Sequence, residues 1–185
     1  MPATRIWTIG HSTRSADEFA ELLRANAIGG LADVRTIPRS RRHPHFGREL
    51  LAARLFDEGI EYRHFATLGG LRKPRPDSPN GAWRNVAFRG YADHMLTAEF
   101  SAAVEELLAF GDRNNVAVMC AEAVWWRCHR MLLSDALVAR DVDVRHIMSR
   151  RGGASAIQPH RLTPFAQIRA DAQVWYRNQT GKKSV

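Results

Sequence analysis

The sequence predicts an α/β protein built on a mostly parallel, five-strand sheet with helices on both faces. Two observations carry that expectation. Five short runs rich in apolar and β-branched residues fall at 5–9, 30–34, 61–65, 116–120 and 143–148, the length and composition of strands. Between them lie segments with 3.6-residue apolar periodicity and cap residues at their ends. Strands alternating with helices imply βαβ crossovers, and crossovers imply a parallel sheet covered on both sides.

Each helix has its own signature. Ser15 and Glu18 form a capping box ahead of the Phe19, Leu22, Leu23 stripe. Residues 48–58 place Leu51 and Leu55 four apart and stop at Gly59, a good residue for leaving a helix. Thr97 caps a helix whose Phe100, Ala103, Val104, Leu107 and Leu108 make a regular apolar face, closed by Gly111. Residues 127–140 carry Leu132, Leu133, Ala136 and Leu137 on one face. Segment 66–96 breaks the rhythm with a Gly- and Pro-rich loop and a short helix at 88–95, and long loops in compact domains are commonly functional. Thr163-Pro164 predicts a final helix to about Trp175, and a frayed end is expected from Asn178 onward. The expected organisation is one α/β domain over 1–185, with 66–96 inserted and 149–185 as a basic C-terminal extension.

Composition narrows the class. With 45% hydrophobic and 25% charged residues the chain is globular, and no apolar run approaches the length of a membrane span. No signal-like stretch precedes Arg5 to Ile9, which predicts a cytoplasmic protein without membrane attachment. Two cysteines, Cys120 and Cys128, make no disulfide framework. The net charge of +8 predicts an anionic partner. Only Lys73, Lys182 and Lys183 are lysine, so 24 of the 27 cationic residues are arginine, whose planar fork suits phosphate or carboxylate. A GC-rich coding sequence would give the same bias.

In open parallel sheets ligands bind beyond the carboxyl ends of the strands. The residues that follow each strand are therefore the candidates: His11 after the first, Asp33 and Arg35 with the basic stretch Arg39-Ser40-Arg41-Arg42 after the second, His64 after the third, Cys120 and Glu122 after the fourth, His146 in the fifth. Asp33 or Glu122 would serve as acid or base with His11 as complement, although Asp33 could equally be tied in a salt bridge to Arg35 or Arg130. Cys120, at a strand end before a helix N-terminus and arginines, and Cys128, at the helix start, are placed where a thiolate is favoured; simple packing is the competing role. Six residues separate Cys120 from Arg127 with no glycine between, which departs from the cysteine-phosphatase loop and argues against phosphatase or sulfurtransferase chemistry. Cys120, Cys128 and His129 with His11 or His64 could hold a metal, but Cys-x7-Cys-His fits no common zinc spacing; haem ligation has weaker support. No metal or cofactor is assigned.

Phosphate recognition has broader support. Arg35, Arg41, Arg89 and Arg130 with His129, joined by Arg39, Arg42, Arg72 and Arg127, would bring several donors to one cleft. Taken alone, Arg39 to Arg42 also reads as a solvated loop. Trp83, Trp125 and Trp126 could stack on bases or belong to the core. Tyr91 and Asp93 are expected to wall the cleft, and His43, His45, His94 and His160 carry no assigned role.

Five motifs then align in order: Thr8-Ile9-Gly10-His11-Ser12-Thr13; Asp33-Val34-Arg35 with Pro38-x-Ser40-Arg41; Leu68-Gly69-Gly70; Phe88-Arg89-Gly90-Tyr91-Ala92-Asp93-x-Met95; and Met119-Cys120-Ala121-Glu122 through Cys128-His129-Arg130. Over about residues 5 to 148 the chain resembles the domain-of-unknown-function family numbered 488. The resemblance implies a small bacterial α/β protein whose motif residues are His11, Asp33, Arg35, Arg41, Arg89, Cys120, Glu122, Cys128, His129 and Arg130. It implies no settled activity, and the DNA-repair label carried by some members is not chemistry. Three functions are expected from different classes. The leading one is an enzyme acting on a phosphate-bearing substrate, nucleotide or nucleic acid. The others are a non-catalytic nucleic-acid-binding module and a metal or redox protein using the cysteines and histidines.

Overall fold

The computed structural model describes residues 4–149 and 155–178. Its six-strand sheet has the order β3-β2-β4-β1-β5-β6. β1 (Arg5–Gly10), β2 (Gly30–Asp33), β3 (Glu61–His64), β4 (Val116–Cys120) and β5 (Asp143–Ser149) run parallel, and β6 (Ser155–Pro159) closes the edge antiparallel to β5. The α/β class stands; the sheet has six strands rather than five. The sixth has one buried-side neighbour and an exposed outer face, so its pattern is too weak to stand out among apolar runs.

Helices cover both faces. α1 (Ala16–Ala25), with its Ser15/Glu18 capping box intact, and α2 (Arg48–Asp57) bury Phe19, Leu23, Leu51 and Leu55 against Ile9, Leu31, Ala117 and Met119. α3 (Val86–His94), α4 (Ala98–Gly111, capped by Thr97) and α5 (Arg130–Val138) pack on the other face against Ile6, Ala32, Val118 and Cys120. The alternation of a strand sends neighbouring side chains to opposite faces, so each central strand feeds both cores. The helix expected over 127–140 is a short 3-10 turn, Trp125–Arg127, followed by α5. Among the described residues no helix is long and apolar enough to cross a membrane.

The C-terminal segment corrects an expectation. Residues 163–175 form a hairpin, β7 (Gln167–Ile168) with β8 (Val174–Trp175), and not a helix. Ala172 at φ 59° makes the turn. Val174 and Tyr176 are buried with Trp175 between them half-buried, a period of two that fixes extended chain once Tyr176 and Phe165 pack on Trp83. Arg151, Lys182 and Lys183 lie outside the described residues, as does most of the end expected to fray.

This topology places one crevice. The chain leaves β1 through α1 on one face and leaves β4 through α5 on the other, and β1 and β4 are neighbours with Gly10 opposite Cys120. Neighbouring strands whose crossovers depart in opposite directions open a crevice at their carboxyl ends. The backbone ladder continues past the strands, His11 N–H donating to Cys120 O and Ser12 N–H to Ala121 O, both at 2.9 Å. Gly10 permits this approach: a Cβ there would overlap the Glu122 carbonyl.

Candidate active site at the sheet edge

Cys120 ends β4, and Cys128 and His129 lie in the turn that enters α5, so the sheet edge brings residues eight and nine positions apart into contact. His129 Nδ1 lies 3.6 Å from Cys128 Sγ and 4.0 Å from Cys120 Sγ, and the three atoms fall within 4.8 Å of one another. All three are at or below 9% exposure. The imidazole is fixed by packing, with the Tyr91 ring centroid at 5.0 Å. A Cβ on Gly70 would stand 2.5 Å from Nδ1. Both thiols are free. The hydrogen bond from Cys120 draws the Cys128 thiol well below its ordinary range, helped against burial by His129 and Arg130. Cys120 is pushed well up by that same hydrogen bond and by burial. Cys128 is the more acidic of the pair, and its sulfur accepts from the Arg130 backbone N–H at 3.5 Å in the first turn of α5, where the helix field favours an anion.

A cavity of about 320 Å³ opens onto this cluster. Cys120, Cys128, His129, Glu122, Arg35, Arg39 and Arg127 line it, with the Gly70-Leu71 loop and Phe88 as walls. Glu122, Arg39 and Arg127 are exposed at its mouth. Arg35 is only 6% exposed, and its Nη1 has no partner among the described residues.

The other site candidates divide into those that brace and those that stand apart. Asp33 is wholly buried, and its carboxylate accepts from Arg35 Nε (2.9 Å), Nη2 (2.6 Å) and backbone N–H (3.1 Å) and from the Tyr62 hydroxyl (2.7 Å). This is the salt bridge weighed against an acid–base role, and it makes Asp33 a positioning residue for Arg35. In register Asp33 pairs with Met119, one short of Cys120, so alternation turns it toward the α1/α2 face and away from the thiols. His11 shares that face, stacked on Phe46 at 4.2 Å; its Nδ1 meets Ser12 O, Nε2 has no partner among the described residues, and burial lowers its pKa to about 4. Arg130 is 1% exposed and reaches Glu122 O (2.5 Å) and Thr8 Oγ1 (3.4 Å), tying the loop after β4 to β1. Arg41 is exposed and Arg89 half-buried, and neither lines the cavity. The structure thus gathers Cys120, Cys128, His129, Glu122 and Arg35. It does not bring Asp33, His11, Arg41, Arg89 or Arg130 onto the cavity wall.

One polar network escaped the sequence reading. Asp135, His160, His146 and Thr8 form a chain of hydrogen bonds of 2.8, 2.9 and 2.7 Å, with Tyr176 donating to Asp135 at 2.7 Å. His160, to which the sequence assigns no role, has a fully buried side chain. Trp125 stacks on His146 at 4.2 Å, so this tryptophan is spent on the fold. The available signal was His146 in the middle of a buried strand, a position that demands partners.

Fold and site together define an α/β protein with a thiol–imidazole cluster and an arginine-lined cavity at the carboxyl edge of its sheet. The chain belongs to the family described as Domain of unknown function DUF488, whose model matches residues 15–137. The match runs from α1 to within α5 and is narrower than the resemblance over 5 to 148, leaving out the Thr8 to Thr13 motif. No curated protein and no solved structure matches the chain.

Proposed function

We propose that this protein is an enzyme acting on a phosphate-bearing substrate, a nucleotide or nucleic acid, with the thiol–imidazole cluster as its reacting centre. One observation carries the reading: a single cavity is lined both by Cys120, Cys128 and His129 and by Arg35, Arg39 and Arg127. Its volume of about 320 Å³ suits a small ligand. Arg35, held by Asp33, offers an Nη1 without a partner among the described residues, and Arg39 and Arg127 complete a set of charge-assisted donors. Glu122 is the exposed carboxylate positioned for proton transfer. Two free, adjacent thiols suit a reducing compartment, which supports a cytoplasmic location.

The test is nucleotide binding by equilibrium dialysis, with inorganic phosphate as competitor. Arg39→Ala and Arg127→Ala alter exposed side chains and should each weaken binding about tenfold, the worth of a charge-assisted hydrogen bond. Absence of binding to nucleotides and short oligonucleotides at low salt removes the proposal.

A second reading, a nucleic-acid-binding module, rests on a separate observation. A depression of about 630 Å³ adjoins the cavity, sharing Thr36, Ile37 and Arg39 with it, and a second of about 600 Å³ continues from the first through Arg48 and His64, with Arg63 and Arg113 extending the basic lining. Such a track fits a polyanion. It predicts oligonucleotide affinity that falls linearly in log salt and weakens on Arg48→Ala and Arg113→Ala.

A further inference from the structure

We infer that Cys120, Cys128 and His129 form a three-ligand site for a thiophilic divalent cation of the zinc class, with the fourth coordination position open to the arginine-lined cavity. This deepens the reading above by naming what its reacting centre holds.

The argument begins with distances. A tetrahedral zinc with Zn–S about 2.3 Å and Zn–N about 2.0 Å puts its sulfur and nitrogen ligands about 3.5 Å apart and its two sulfurs about 3.8 Å apart. The observed S···N separations are 3.6 and 4.0 Å, with all three donors inside 4.8 Å. Small side-chain rotations close the difference. Among the described residues nothing else competes for Nδ1, whose polar neighbours are the two sulfurs, and Gly70, by lacking a Cβ, leaves the space beside that atom clear. The ligand frame is already rigid, because Cys120 is anchored in β4, Cys128 and His129 in the turn into α5, and the imidazole under Tyr91.

Charge and ligand type then choose the ion. Two thiolates buried to 8% and 4% exposure are costly as bare anions, and a divalent cation neutralises both. Two sulfurs and one imidazole, with no carboxylate, exclude magnesium and calcium and favour zinc or a neighbouring transition ion. Structural zinc sites are closed by four protein ligands, whereas catalytic sites keep three and leave one place for water or substrate. Here the missing quarter faces the cavity that the same three residues line, so the fourth ligand would be water or an oxygen of the anion held by Arg35, Arg39 and Arg127. The sequence spacing hides this site because the sheet edge, not a short loop, assembles it.

The experiment uses untagged full-length protein, reduced, stripped with chelator and shown to titrate two thiols. Addition of Co2+ should saturate at one ion per chain, with ligand-field bands in the visible and a thiolate charge-transfer band in the near ultraviolet, both erased by Zn2+. Cys120→Ser and Cys128→Ser should each lower the charge-transfer intensity, and His129→Ala should weaken affinity at least tenfold, with folding checked by circular dichroism. Featureless spectra at excess Co2+ in the reduced protein, or spectra unchanged by both serine variants, overturn the inference. Its failure is separable from that of the anion proposal. A protein that binds nucleotide through Arg39 and Arg127 but gives no cobalt spectrum loses only the metal, and one with the spectrum but no nucleotide binding loses only the substrate class.

Discussion

The imidazoles of His146 and His160 stand almost perpendicular, joined by a single hydrogen bond of 2.9 Å between Nε2 of the first and Nδ1 of the second. The two ends of the chain fix its direction. Asp135 as a carboxylate only accepts, so His160 donates through Nε2 and accepts at Nδ1 from His146. The Nδ1 of His146 then accepts from the Thr8 hydroxyl, which itself accepts from Arg130. Burial keeps the His146 ring neutral. The arrangement couples β5, α5 and the loop after β6 through groups that have no water to replace a lost partner.

Acid lability follows. Burial, with His160 and Arg130 adding repulsion, lowers the His146 pKa to about 3, and burial lowers that of His11 to about 4, against 6.5 for a free imidazole. Below 6.5 the unfolded chain takes up protons that the folded chain refuses, so stability is full above that value and falls as pH drops toward 4. Each group contributes up to about 1.4 kcal/mol per pH unit. Urea denaturation between pH 7 and 4.5 should show a slope approaching two protons, and His146→Gln should remove about one. A flat stability curve across that interval would refute the account.

The Asp33–Arg35 pair gives a stability prediction of a different kind. Asp33→Ala leaves the Arg35 guanidinium buried without its two parallel bonds, and loss of one partner of a buried pair costs about 3–5 kcal/mol. Tyr62→Phe removes one hydrogen bond to the same carboxylate and should cost about 1 kcal/mol. The informative variant is Arg35→Lys, which keeps the charge and loses the fork; it should retain most of the stability of a charged pair while weakening nucleotide binding. Denaturation midpoints and dialysis on the same preparations separate the two effects. Arg35→Lys with unaltered nucleotide affinity would show that this guanidinium serves only the fold.

What the sequence disclosed and what it concealed have the same physical root. Strand order and the rule that ligands gather at carboxyl ends were enough to bring Cys120, Cys128, His129, Glu122 and Arg35 to one edge, because each follows or ends a recognisable strand. The face on which each lies was not legible. β2 and β4 are buried throughout, so apolar residues occupy both faces and alternation gives no sign of which way Asp33 turns; only the Asp33–Met119 register decides it. The hairpin at 167–175 was misread for a related reason. A short apolar stretch suits either period until a partner chooses, and here Trp83 and Asp135 choose extended chain by receiving Phe165 and Tyr176.

The thiol pair should be chemically unequal. The Cys128 thiol is drawn below its ordinary range and that of Cys120 is pushed up, so in reduced, chelator-treated protein at neutral pH a small alkylating reagent should label Cys128 first. Peptide mapping after partial labelling reads the order directly. In Cys128→Ser the remaining Cys120 loses the neighbour that pushes its pKa up and keeps only the burial penalty, so it should label faster than Cys120 does in the native pair. Equal labelling rates, or Cys120 reacting first, would overturn that order of acidity.

Gly70→Ala tests whether the cluster is held by the loop across the cavity. The added Cβ would stand 2.5 Å from His129 Nδ1 and 2.7 Å from Cγ, well inside carbon–nitrogen contact, and the ring is also packed by Tyr91. The loop or the imidazole must shift, at a cost of about 1–3 kcal/mol for overpacking. Because Gly70 and His129 line the same cavity, nucleotide affinity should fall with the stability. Gly29→Ala provides the comparison: its Cβ meets only Asn114 Oδ1, at 3.8 Å, and the change should stay within about 0.5 kcal/mol with binding intact. If Gly70→Ala matches Gly29→Ala in both measurements, the loop does not grip His129, and the rigidity ascribed to the cluster must come from β4 and α5 alone.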